Sequence, residues 1–191
     1  LQTIGASAFM DCNELESIEL PEGLETIGEN AFKGCNKLKK IVVPLSFMGE
    51  DPSYWADRGI NPSIVKCNDP LYNFINDSKK SSRAKRDELL AKDTLSSADA
   101  RIYFKAFVVN NDNALSFAKL LLDKIQDASE KQNFIRTVCD TNDLTLRSRF
   151  YSNRLSFFKL VPGITEVTEA MIPGECEKDE NGNVKNGFRT S

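Results

Sequence analysis

The chain has 191 residues, 40% hydrophobic and 28% charged, with a formal net charge of −3 and no histidine. That length holds one large or two small cores, and the missing histidines remove the usual general base, the Ser-His and Cys-His nucleophile pairs and most catalytic zinc sites. Residues 1–67 carry 6 Lys/Arg against 10 Asp/Glu and residues 68–172 carry 16 against 14, a balance that argues against nucleic acid as the partner.

No apolar stretch approaches the ~18 residues of a membrane span. The opening "LQTIGASAF" has neither a basic n-region nor a long apolar core, so it does not read as a signal peptide. The five cysteines, Cys12, Cys35, Cys67, Cys139 and Cys176, are odd in number and form no Cys-x-x-Cys pair. A disulfide framework or zinc ribbon is therefore not expected, and neither a metal nor a cofactor has an obvious set of ligands.

The first third of the chain repeats itself. "IGASAFMDCNELESIELP" at 4–21 and "IGENAFKGCNKLKKIVVP" at 27–44 align at an offset of 23, pairing Ile4 with Ile27, Phe9 with Phe32, Cys12 with Cys35 and Pro21 with Pro44. A period in the twenties is the signature of leucine-rich-repeat coils, each of which needs a neighbour to bury its apolar face. Leu15, Ile18 and Leu20, then Leu38, Ile41 and Val43, follow L-x-x-I-x-L, and the last two alternate as a strand with one buried face requires. Ser17, Glu19, Lys40 and Val42 lie between them and are expected to point outward on a parallel sheet. Gly5 and Gly28 are assigned to tight turns, Phe9 and Phe32 to an apolar spine, and Cys12 and Cys35 to buried, inert positions.

A further step of 23 carries Ile41-Val42-Val43 onto Ile64-Val65-Lys66, which predicts a third strand with Val65 outward and Lys66 replacing a buried residue. The segment between has lost the IGxxAF core. Its Asp51-Pro52 reads as a helix start, and Tyr54 and Trp55 are expected to cover the edge of the stack. Because residue 1 falls within a unit, further coils are expected upstream, or self-association through the open end.

The pattern "AFKGCNKLKKIVVP" resembles the BspA-like, or Treponema-type, leucine-rich repeats, with consensus close to "L..I...AF.GC..L..I.LP". The resemblance covers residues 1 to about 67. It implies adhesion by a cell-surface or secreted protein that holds matrix proteins or other cells.

From residue 68 the period is gone, and residues 68–80 read as a boundary. The basic run Lys79 to Arg86 is followed at once by Asp87 and Glu88, as in a solvated linker or helix start. Ser96 and Ser97 are plausible caps for a helix carrying Ile102, Phe104, Ala106 and Val109 on one side. "ALSFAKLLLDKI" and "SEKQNFIRTVC" carry helical stripes through Leu115, Ala118, Leu122 and Ile125, then Phe134, Ile135, Val138 and Cys139. "NALSFAKLL" at 113–121 echoes "NRLSFFKLV" at 153–161, and "DTNDLTLRS" at 140–148 resembles an ankyrin turn in which Asp143 replaces the glycine and Pro-Leu-His is missing. Degenerate ankyrin-like helix pairs and an unrelated helical bundle both stay open. After Pro173 the chain is polar, with two Asn-Gly turn signals. Asp179, Asn181 and Asn183 mimic the start of a calcium loop, but Val184 stands where it needs glycine.

The sequence therefore predicts an α+β chain: leucine-rich-repeat solenoid coils over 1–67, a helical domain over 68–172 and a polar tail or hairpin over 173–191. The expected function is a non-catalytic protein-interaction or adhesion module, with Ser17, Glu19, Lys40, Val42 and Val65 as binding positions, another protein as partner and no enzyme activity. The alternative is a cytoplasmic scaffold or secreted effector whose helical domain makes the contact.

Overall fold

The computed structural model describes residues 1–109 and 114–138. The expectations for 139–191, including the echo at 153–161, the ankyrin-like turn and the polar tail, lie outside the described residues. Short parallel strands followed by helices give an α+β chain.

Strands β1 (Thr3–Ile4) and β3 (Thr26–Ile27) pair in parallel, with Thr3 beside Thr26. On the other side of the coils β2 (Ser17–Glu19), β4 (Lys40–Val43) and β5 (Val65–Cys67) form a second parallel sheet in the order β2-β4-β5. Strands one coil apart pair this way because equal repeat lengths bring equivalent backbone groups into line. Between the sheets the same logic runs through the turns: Ser7, Phe9 and Asp11 donate their amides to the carbonyls of Glu29, Ala31 and Lys33 at 3.0, 2.8 and 2.7 Å. Side chains repeat the register, with Thr26 on Thr3 at 3.0 Å and Asn36 on Asn13 at 3.1 Å. On the exposed rim Lys37 reaches Glu14 at 2.8 Å and Lys39 reaches Glu16 at 3.6 Å.

The interior of the coils is the apolar set the spacing specifies. Ile27, Phe32, Ile41 and Val43 are buried, and Phe9 stacks on Phe32 with ring centroids 5.0 Å apart. Burial of each large side chain stabilises the stack by about 1.5–3 kcal/mol. The glycines act differently from expectation. In the first two units the left-handed backbone positions fall at Ser7, Asp11, Asn30 and Gly34, not at Gly5, around which a Cβ would meet nothing. Gly28 is required for close approach, since a Cβ there would lie 2.4 Å from the Ala6 amide nitrogen.

The third coil is built from other material. A 3-10 turn over Leu45–Gly49 and helix α1 (Pro52–Asp57) replace the IGxxAF segment, with Pro52 in the first turn after Asp51. Trp55 and Phe47 enter the repeat core, and Tyr54 packs against it. Arg58 then closes the smaller sheet. One coil earlier the Gly28 amide donates to the Ile4 carbonyl at 2.8 Å. For Ile27 the donor is Arg58 Nε at 2.7 Å, while Nη1 of the same side chain binds the Tyr54 carbonyl at 2.7 Å and the guanidinium lies 3.4 Å above the Tyr54 ring. A side chain thus satisfies the edge carbonyl that a further strand would have taken.

The third strand corrects the sequence reading. Its register pairs Ile41 with Val65, Val42 with Lys66 and Val43 with Cys67, an offset of 24 where 23 was expected. The rebuilt coil is one residue longer, and a one-residue slip turns every side chain to the other face. Val65 is therefore half-buried against the repeat core, not outward, and Lys66 is exposed because it stands at an outward position, not because it reaches out from an inward one.

The helices form a second apolar cluster. The stretch read as a boundary contains helix α2 (Pro70–Asn76), capped by Asp69, whose carboxylate accepts from the Tyr72 amide at 2.6 Å. Its Leu71 and Ile75 are buried among the helices. Helix α3 (Ser82–Leu90) starts at Ser81, which caps Ala84. Of the supposedly solvated basic run, Lys85 is 0% exposed. Helix α4 (Ser97–Val108) has the expected Ser96 cap, yet it is apolar nearly all round because it lies at the centre, against α2, α5 (Ala114–Lys124), α6 (Ala128–Val138) and the 45–49 turn. Val109, expected on its buried side, is exposed. Phe107 stacks on Phe117 with centroids 3.9 Å apart, and Phe104 meets Phe134 edge-on at 6.3 Å. Polar ties close the helix ends: Glu130 accepts from the Ser97 amide at 2.8 Å, and Lys124 Nζ donates to the carbonyls of Leu90 and Lys92 at 2.8 and 2.6 Å.

Candidate interaction surface

The three-stranded sheet has an apolar side turned to the core and an opposite side open to solvent, as alternation along each strand requires. On β2 and β4, Ile18, Ile41 and Val43 face in, while Ser17, Glu19 and Lys40 are exposed and Val42 is half-buried. Register sets these side by side: Ser17 beside Lys40, and Glu19 beside Val42. The sequence-derived positions Ser17, Glu19, Lys40 and Val42 therefore meet on one face. Val65 does not join them, and its place in the row is taken by Lys66, giving Glu19, Val42 and Lys66 across three strands. The signal for Lys66 was present in Cys67, a residue suited to burial, which continues the Ile41, Val43 alternation only if the offset becomes 24.

Among the described residues Lys40 and Glu19 have neither a salt bridge nor a side-chain hydrogen bond, and Lys66 reaches only the Ser63 carbonyl at 3.5 Å. The neighbouring rim charges are matched within the chain through Lys37 with Glu14 and Lys39 with Glu16. The face thus offers unmatched charges of both signs beside one aliphatic side chain, held by a regular backbone.

Among the described residues, Cys35 and Cys67 do not compete as a reactive centre. Cys12, Cys35 and Cys67 are all free thiols. Cys35 Sγ donates to the Phe9 carbonyl at 3.0 Å, linking one coil to the next, and desolvation raises its pKa above the ordinary thiol value. Burial pushes Cys67 up to about 11. Both stay protonated near neutral pH and lack thiolate nucleophilicity. Among the described residues no group of three His, Cys, Asp or Glu side chains is placed to hold a metal, and no helix is long and apolar enough to cross a membrane.

Residues 1–51 match the family model described as BspA type Leucine rich repeat region (6 copies). This segment is a BspA-type leucine-rich repeat. No curated protein and no solved structure matches the chain. The BspA-type match ends at the 3-10 turn, where the IGxxAF pattern gives way to the rebuilt third coil, and it covers the two units whose inward residues stack in register. The outward residues of those units differ from each other, Glu14, Glu16 and Ser17 standing where the next unit has Lys37, Lys39 and Lys40. In BspA-type repeats the inward set is constrained by stacking, and differences between units are free to accumulate on the solvent side.

Proposed function

We propose that the chain is a non-catalytic protein-interaction module of an adhesive kind, in which the leucine-rich coils continue as a solenoid over residues 1–67 and bind through the outward face of the β2-β4-β5 sheet. The observation that carries this reading is the row Glu19, Val42, Lys66 with Ser17 and Lys40 beside it, because these side chains are set in register and Glu19 and Lys40 are left without partners. A rigid surface loses little entropy when a partner docks, so even a small set of contacts yields affinity. The partner is another protein. Repeats of this type are often found in surface or secreted proteins, and a matrix or cell-surface protein fits that setting. In this reading the helices α2 to α6, between Pro70 and Val138, act as a second domain that supports the capped end of the coils.

The reading is tested by measuring binding of the chain to immobilised matrix proteins and to cells, with Glu19→Lys, Lys40→Glu, Val42→Asp and Lys66→Glu introduced singly. Each is expected to weaken binding with an unchanged melting temperature. If all four bind normally while Leu90→Asp on the exposed helical surface abolishes binding, the sheet is the wrong face.

A further inference from the structure

Cys12 and Cys35 hold the same place in successive units, 23 residues apart, and both are half-buried free thiols. The structure sets them one coil apart in parallel register. Just before them the Asp11 amide donates to the Lys33 carbonyl at 2.7 Å, and just after them Asn36 Nδ2 donates to Asn13 Oδ1 at 3.1 Å. Backbones hydrogen-bonded in this way lie about 4.7–4.9 Å apart, and the Cα atoms of a disulfide stand about 4.4–6.8 Å apart. The step between units thus falls within the span that a disulfide bridges. Direction agrees with distance. Cys35 Sγ donates to the Phe9 carbonyl at 3.0 Å, and the same oxygen accepts the Cys12 amide at 3.2 Å. The Cys35 sulfur therefore leans onto the first unit beside Cys12, whose amide opposes the desolvation that raises the Cys35 pKa. Closing the pair needs a turn at side-chain torsions and no change of backbone register. Cys67, in contrast, stands beside Val43 in its sheet and faces no thiol among the described residues.

We propose that Cys12 and Cys35 form a site of oxidative cross-linking, closed by a small-molecule disulfide into a clip that joins the first two units. The Cys12 thiolate attacks one sulfur of the oxidant and releases one small thiolate. The Cys35 thiolate then attacks the Cys12 sulfur of this mixed disulfide, forming the protein disulfide and releasing the second small thiolate. Two protein S–H bonds are lost and one S–S bond is gained, while the S–S bond of the oxidant breaks and its halves take up the two protons and two electrons. Burial holds the Cys35 thiol protonated near neutral pH, so the second step is slow there and quickens as pH rises. The pair is thus a lasting link made in an oxidising setting, not a fast redox centre. Stacking of the units already brings the two residues together, so the folded chain closes the bond more readily than the unfolded chain does. The clip sits at the turns ahead of β2 and β4 and does not depend on what the sheet face binds.

The test equilibrates the full chain at about pH 8 in glutathione buffers of graded oxidised-to-reduced ratio, with and without urea, starting from both the reduced and the pre-oxidised chain. Acid quenching, alkylation of the remaining thiols and mass mapping of tryptic peptides then report the pairing, the clip appearing as 1–33 joined to 34–37. The expected result is that this peptide pair is the main disulfide product of the folded chain. Its equilibrium constant against glutathione is about tenfold or more higher without urea than with it. The closed chain also melts about 5 °C or more above the reduced one, a rise that Cys12→Ser and Cys35→Ser do not show. The proposal is overturned if the folded chain at the most oxidising ratio carries both cysteines alkylated or as separate glutathione adducts. It is overturned equally if either cysteine pairs mainly with Cys67, Cys139 or Cys176, or if the equilibrium constant in urea matches or exceeds that of the folded chain.

Discussion

Replacing Arg58 by alanine tests whether one side chain ends the smaller sheet. The change removes the donor to the Ile27 carbonyl, the donor to the Tyr54 carbonyl and the cation lying on the Tyr54 ring. A carbonyl left without a donor costs about 1–3 kcal/mol, and a cation over an aromatic face contributes about 0.5–1 kcal/mol where water has access. Because the site is half-buried and water replaces part of what is lost, the lower ends apply, and the expected loss is about 2.5 kcal/mol. For a chain of this size that corresponds to roughly 5–10 °C in melting temperature. The single tryptophan, Trp55, is buried in the repeat core three residues away, so urea unfolding followed by its fluorescence reports on this region. Arg58→Lys keeps the charge but has no planar fork to serve two carbonyls, and about half the loss is expected. If Arg58→Ala unfolds within about 2 °C of the parent, water serves these carbonyls as well as the guanidinium does and the capping argument fails.

Lys85 is fully buried and its amine has no hydrogen-bond partner, so Lys85→Met should raise stability by about 1–3 kcal/mol in chemical denaturation. Burial lowers the Lys85 pKa from 10.5, with Asp77 opposing the shift. The unfolded chain then binds more protons than the folded one between the lowered value and 10.5, and parent stability rises with pH across that window. The advantage of Lys85→Met is therefore largest at neutral pH and closes as pH approaches 10.5; a gap that stays constant or widens contradicts this. Gly28→Ala should cost about 1–3 kcal/mol through collision with the Ala6 backbone, while Gly5→Ala, with open space around it, should be close to neutral; equal melting temperatures for the two would show that the coils can move apart freely.

The coil interior was legible because a fixed period exposes it: once Ile4, Phe9, Ile18 and Leu20 recur 23 positions later, stacking and parallel pairing follow. The same regularity misled at the third strand. The rebuilt coil has no IGxxAF to count from, and one added residue exchanged the roles of Val65 and Lys66. Helix α2 was hidden because Asp69-Pro70 marks a chain break as readily as a helix start, and the burial of Leu71 and Ile75 depends on α4, which is distant in sequence. Glu130 capping Ser97 and Arg58 closing a sheet are long-range substitutions of a side chain for a backbone partner, and no local pattern announces them. The outward face was half legible: four of its positions come from strand alternation, whereas the fifth, Lys66, appears only once the offset becomes 24.

The rim pairs of Glu14 with Lys37 and Glu16 with Lys39 are worth little as stabilising contacts, since both acids are well exposed. Their weight lies in ordering. A chain of units with nearly the same interior can stack out of sequence, or dock onto the matching unit of another molecule, at almost no cost to the core. An acidic rim against a basic one makes the sequential order attractive and puts like charges together whenever two identical units meet. The inward residues are thus a common thread for every unit, and the charged rim is the label that tells one unit from the next.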